Sequence, residues 1–149
     1  MNNCLFPYKF KWIGAFLVLC GTIALVFYVL YNLVFMVPVF AVFSSFLETK
    51  VFAIITTNIT DELIMLALLT GFFFIAFSKE KAENESIAAI RASALSKAVF
   101  ANTVFLFFSV LFIYGNGFVA MILLNLVSPL IFYLVFFVIL KRKFLRSQS

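Results

Sequence analysis

The chain is 149 residues long, 66% apolar and only 11% charged, with a net charge of +5 and no histidine. A soluble domain is about half apolar and about a quarter charged, so a soluble fold of this size is excluded: its interior is too small to hide that much apolar surface. The absent histidine removes the commonest general base and the commonest transition-metal ligand, and Cys4 and Cys20 do not form the paired motif of a thiol oxidoreductase.

The first twelve residues are mixed and carry Lys9 and Lys11; apolar sequence then runs without a charge from Ile13 to about Val37. A bilayer core is crossed by about 20 helical residues, which makes this stretch span one. It is too long for a secretory signal and lacks a small-residue cleavage site, and Leu19 occupies the place before Cys20 where a lipoprotein signal needs a small residue. Pro38 closes the span, since the residue before a proline is biased away from helix.

Residues 39–58 are apolar but contain Glu48 and Lys50, and two mid-bilayer charges would cost about 2.5–3.5 kcal/mol each. Phe40, Phe43, Leu47, Val51 and Ile54 follow steps of three and four, while Ser44, Ser45, Glu48 and Thr49 fall largely elsewhere. That spacing predicts an amphipathic helix at the outer interface, lying flat or re-entering. Span two covers 60–77, with Thr60 as the expected N-cap and Asp61 and Glu62 at the positive end of the helix dipole. Within it, Ala67 and Gly71 form a small-x-x-x-small pair that lets helices approach closely.

Residues 78–97 are the most polar segment, alanine-rich and free of glycine and proline. Helix is expected to extend from span two, turn near Asn84–Ser86 with Asn84 or Ser86 as a fresh cap, and lead into span three over 98–113. Ile87, Ile90, Ala94 and Ala98 make a stripe at helical spacing. Tyr114-Gly115-Asn116-Gly117 reads as a tight turn, and span four follows over 118–140. Pro129 inside that span frees the carbonyl of Asn125 and predicts a kink.

With four spans, Lys9, Lys11, Lys79, Lys81, Arg91, Lys97, Lys141, Arg142, Lys143 and Arg146 share one side, and only Lys50 lies opposite. The positive-inside rule then places both termini in the cytoplasm, so the net charge reports orientation rather than a nucleic-acid partner. The expected fold is a single-domain, all-α membrane protein: a four-transmembrane-helix bundle with an amphipathic extracytoplasmic helix between spans one and two.

No acid or base lies in the interior of the spans, Asp61 and Glu62 standing at the end of span two, which argues against ion-coupled transport. Asn32, Asn102 and Asn125, with Pro129, form a candidate polar patch for helix packing or a small ligand. Lys79, Glu80, Lys81, Glu83, Glu85 and Arg91 form a connector that either docks a protein or is a solvated juxtamembrane helix. Glu48, Asp61 and Glu62 are explained by capping and interfacial solvation more simply than by a hard cation. No catalytic, metal-binding or cofactor-binding set is read, and the expectation is a non-enzyme with no cofactor.

Ser78-Lys79-Glu80-Lys81, Glu83-Asn84-Glu85, Ile87, Ile90-Arg91 and Leu95, followed by Tyr114-Gly115, Phe118, Met121, Asn125 and Pro129, make a recurring string. Over residues 78–129 it resembles a group of small uncharacterised bacterial inner-membrane proteins with four predicted spans. The resemblance implies a bacterial inner membrane and carries over no functional residue, since no activity is assigned to that group. The leading functional expectation is an accessory or regulatory membrane component acting through helix contacts and the 78–97 connector. Its expected partners are the lipid bilayer, another membrane or cytoplasmic protein, or further copies of itself. The alternative is a small oligomeric channel or transporter without ion-coupling carboxylates, and a lipid-binding or lipid-modifying role ranks last.

Overall fold

A computed structural model describes residues 5–32, 34–45, 49–81 and 84–147. In chain order it has helix α1 (Lys9–Tyr31), strands β1 (Met36–Ser45) and β2 (Thr49–Asn58), and helices α2 (Thr60–Ala76), α3 (Glu85–Phe112) and α4 (Asn116–Ser147). Three helical segments, Lys9–Tyr31, Glu85–Phe112 and Ala120–Ser147, are long and apolar enough to cross a membrane. The chain is thus a membrane protein by the length and composition of its helices. At 17 residues α2 is the shortest helix, about 25 Å at 1.5 Å per residue.

Residues 39–58 do not form the expected amphipathic helix. β1 and β2 pair antiparallel in a two-stranded hairpin, with Met36 opposite Asn58 and Ser45 opposite Thr49. The physical reason is side-chain shape: Val37, Val39, Val42, Val51, Ile54, Ile55, Thr56 and Thr57 are β-branched, stiff at χ1 and suited to a pleated surface. Twelve of the twenty positions are apolar, dense enough for the three-and-four spacing to arise by coincidence. Pro38 does not close span one either; it lies in β1 opposite Thr56, where both strands are edge strands and a missing N–H is tolerated. Phe52 takes a positive φ of 52°, and the pairing of Val42 with it is missing from an otherwise continuous register.

α1 ends at Asn32, whose left-handed backbone (φ 48°, ψ 45°) caps the helix through its N–H on the Tyr28 carbonyl. The base of the hairpin is clamped to the start of α2. Asn58 Oδ1 accepts from the Thr60 N–H (3.0 Å) and the Phe35 N–H (3.2 Å), and Thr60 Oγ1 accepts from the same Phe35 N–H at 2.9 Å. Asn58 therefore serves the helix start by a local side-chain turn, and Thr60 is a helical residue rather than the N-cap.

α1 and α2 pack side by side where glycine removes the side chain. A methyl group on Gly14 would lie 2.6 Å from the Gly71 carbonyl oxygen, and one on Gly21 would meet Leu68 and Ala67. The second pair, α3 and α4, is turned by Gly115 at φ 67°, as the glycine-rich turn predicts. The expected stripe Ile87, Ile90, Ala94 and Ala98 faces inward and meets Tyr133, Phe137 and Leu140 of α4. Asn84 caps α3, its side chain accepting from the Ile87 N–H at 2.9 Å. The two pairs join along α2 and α4.

Candidate functional site

Helix α2 does not extend into the connector. It stops at Ala76, and the carbonyls of Ala76, Phe77 and Ser78 are claimed from outside the helix. Arg91, on the first turns of α3, donates from Nη1 to the Ala76 carbonyl (3.2 Å) and from Nη2 to the Ser78 carbonyl (2.9 Å). The segment before α1 completes the stop: the Phe6 N–H donates to the Phe77 carbonyl, and the Lys79 N–H donates to the Phe6 carbonyl, both at 2.9 Å. A guanidinium at a helix C-terminus also complements the negative end of the dipole. Arg91 further reaches the Tyr133 hydroxyl at 3.3 Å and lies over the Phe137 ring at 5.0 Å.

Beside it, Glu80 ties both ends of the chain to the connector. Lys11 at the start of α1 donates to Glu80 Oε1 at 2.5 Å, and Lys141 near the end of α4 donates to Oε2 at 2.9 Å. The Glu80 side chain is only 10% exposed, against 33% for Lys11 and 31% for Lys141. Burial alone would raise the Glu80 carboxyl pKa, but the hydrogen bonds and charges of Lys11 and Lys141 outweigh it and hold it below its ordinary 4.5. Phe6, Phe10, Phe73 and Phe74 stack edge to face beneath this charged node, and Lys81 covers the Tyr8 ring at 5.4 Å.

The connector expected to dock a partner is thereby divided. Glu80 and Arg91 turn inward and hold three segments of the chain together. Lys79, Lys81 and Glu85 are exposed, while Glu83 lies outside the described residues. Sequence reasoning counted Lys11 and Lys141 only as topology markers. The one signal for their role was that a short connector must pass close to both chain ends.

The asparagine patch is partly assembled. Asn102 Nδ2 donates to Asn125 Oδ1 at 3.3 Å, and Ser128, which the sequence reading missed, donates to Asn102 Oδ1 at 2.5 Å. Ser128 lies 3.5 Å from the Asn125 carbonyl, the acceptor that Pro129 leaves without its helical N–H. Asn125 Nδ2 is buried and has no hydrogen-bond partner among the described residues. Asn32 does not join the patch: it is exposed at the hairpin end of α1, occupied in ending that helix. Replacing Asn102 with leucine is expected to weaken α3–α4 association by about 0.6–1.7 kcal/mol, the range measured for interhelical bonds in lipid. Unfolding in bicelles would measure it, and an unchanged stability would mean that the ladder contributes nothing.

Among the described residues no three acidic or cysteine side chains gather as a metal site. Asp61 and Glu62 occupy the first turn of α2, where the dipole favours them, and Glu48 lies outside the described residues. The chain matches no protein-family model, no curated protein and no solved structure.

Proposed function

We propose that the protein is an accessory component of a bacterial inner membrane, not an enzyme, that works by contact with another membrane protein. In this reading it crosses the bilayer four times with both termini in the cytoplasm. α2 is counted as a span because it lies against α1 from Gly14 to Gly21, at the depth of a membrane-crossing helix. Its shortness is accommodated by local thinning or flanking-residue adjustment.

The β-hairpin is the observation that carries the reading. Its strands are about 33 Å long at ~3.3 Å per residue, apolar residues fall on both faces, and beyond the clamp of its base to the start of α2 no extensive packing on a helix is present among the described residues. Phe40 and Ile54, paired across the strands, are 64% and 76% exposed. Open strand edges do not occur in the hydrocarbon core, so lipid does not cover this element, and a long apolar edge in water templates pairing with another chain. Exposed Lys79, Lys81 and Glu85 on the opposite side supply a second contact.

A photo-crosslinking residue at Phe40 is expected to yield one discrete adduct in cells, whereas one at lipid-facing Phe107 yields none. A cysteine at Phe40 in a chain without Cys4 and Cys20 should react with impermeant maleimide from outside, and one at Ser147 only after the membrane is opened. No adduct at Phe40 or Lys81 would overturn the contact role, and the reverse labelling pattern would overturn the orientation.

The buried, partnerless Asn125 Nδ2 favours a second reading, an oligomeric channel in which another copy supplies the acceptor. Solute flux through liposomes containing the protein tests it, and tight liposomes would exclude it.

A further inference from the structure

A cleft of about 430 Å³ opens between α2, α4, the start of α1 and the first turns of α3. Its walls change character along the axis of α4. Leu134, Phe137 and Val138 line one part, and Lys141 and Arg142 lie on the same helix face about one turn beyond Val138. Lys11 and Arg91 complete the polar part, so among the described residues four cations line the cleft with one carboxylate, Glu80. Arg91 is engaged with backbone carbonyls of α2 and the connector. Glu80 accepts one N–H from each lysine, which leaves each ammonium two further donors. Arg142 is exposed at the rim.

We infer that this cleft binds one anionic phospholipid, its phosphodiester held by Lys11, Lys141 and Arg142 and an acyl chain lying along Leu134, Phe137 and Val138. The excess of positive charge selects an anion. The apolar wall, continuous with the exposed membrane-facing surface of α4 at Val138, selects a lipid over a soluble phosphate. Basic pockets between helices at the cytoplasmic side suit such headgroups. The site lies at the end of the molecule where α1 starts, away from the hairpin that follows the other end of α1, so it stands or falls separately from the contact role proposed above.

The full chain, delipidated in a mild detergent, provides the test by native mass spectrometry and thermal melting. Phosphatidylglycerol is expected to remain as one bound molecule and to raise the melting temperature; phosphatidylcholine is expected to do neither. Inorganic phosphate at the same concentration should not displace it. Arg142→Gln should weaken phosphatidylglycerol binding about fivefold, which is about 1 kcal/mol for one charge near a headgroup, and Arg142→Lys should restore most of it. Lys143→Gln, on a different face of α4 against Ser86, Ala89 and Ile90, should change little. Equal retention of both lipids, or equal effects of the Arg142 and Lys143 variants, would reduce the effect to diffuse attraction and overturn the site. Displacement by inorganic phosphate would show that the ligand is a soluble anion.

Discussion

Leucine in place of Gly14 is expected to separate α1 from α2, and it is the most damaging single change among the glycines. In lipid no hydrophobic force drives two apolar helices together, so their association depends on close backbone approach and packing. The Cβ that a side chain would add at Gly14 meets the Gly71 carbonyl at 2.6 Å and the Ile75 N–H nitrogen at 3.0 Å. Backbone atoms cannot rotate away as a flexible side chain does, so the helices must move apart. Gly71 is similar, with the Val18 nitrogen at 2.9 Å. Gly21 is milder, because its nearest atoms belong to the Leu68 side chain at 3.0 and 3.1 Å. Gly117 is milder again, with only an Ile113 side-chain carbon at 3.3 Å. The expected cost for leucine at Gly14 or Gly71 is about 3 kcal/mol or more, at the top of the overpacking range. Alanine at Gly21 and Gly117 should cost about 1 kcal/mol or less. Resistance to unfolding in mixed micelles, read by a cysteine crosslink between α1 and α2, ranks the variants. A Gly117 variant as damaged as the Gly14 variant would show that this crossing does not hold the pair together.

The helical part of this fold was legible because long uninterrupted apolar runs permit little else, and because local chemistry marks the ends. Asn84 as a cap, the Gly115 turn and the Ile87–Ala98 seam are short-range signals, each read within a few residues. The hairpin failed that reading for a physical reason. When both faces of a strand are apolar the period-two signal vanishes, and the loop joining β1 to β2 contains no glycine, proline or asparagine to announce a turn. The β-branched content was the remaining clue. Ser78 shows the converse: a polar residue at the head of a charged run is almost fully buried, because the segment before α1 pairs beside it and Arg91 reaches its carbonyl. The charged node lay beyond reach because its bonds join residues 69 and 61 positions apart. Periodicity carries no information over such separations, so Glu80 resembled its solvated neighbours Lys79 and Lys81.

Glutamine at Glu80 tests whether that resemblance was misleading. The carboxylate holds the start of α1 and the end of α4, two helices that share no extensive packing of their own. Removing its charge leaves Lys11 and Lys141 as neighbouring cations with no counter-charge between them among the described residues. A hydrogen bond to a charged group contributes about 1.5–3 kcal/mol, and losing one member of a buried pair costs about 3–5 kcal/mol. Each lysine is about a third exposed, so solvent screening puts the expected loss for Glu80→Gln near the lower figure, about 1–3 kcal/mol at neutral pH. The pH dependence has a definite sign. The folded-state pKa lies below the ordinary 4.5, so the unfolded chain binds the proton more readily. The stabilisation is complete above the ordinary value and is lost as pH falls through the lowered native one. Wild type and Glu80→Gln should therefore differ most at neutral pH and converge in acid. Lys141→Gln combined with Glu80→Gln should cost less than the two separate losses added together, since both remove the same bond. Unfolding measured from neutral pH into the acid range decides the matter. A constant difference between wild type and Glu80→Gln would mean that the carboxylate stabilises the fold through packing alone, and no difference at any pH would mean that it does not tie the helices together.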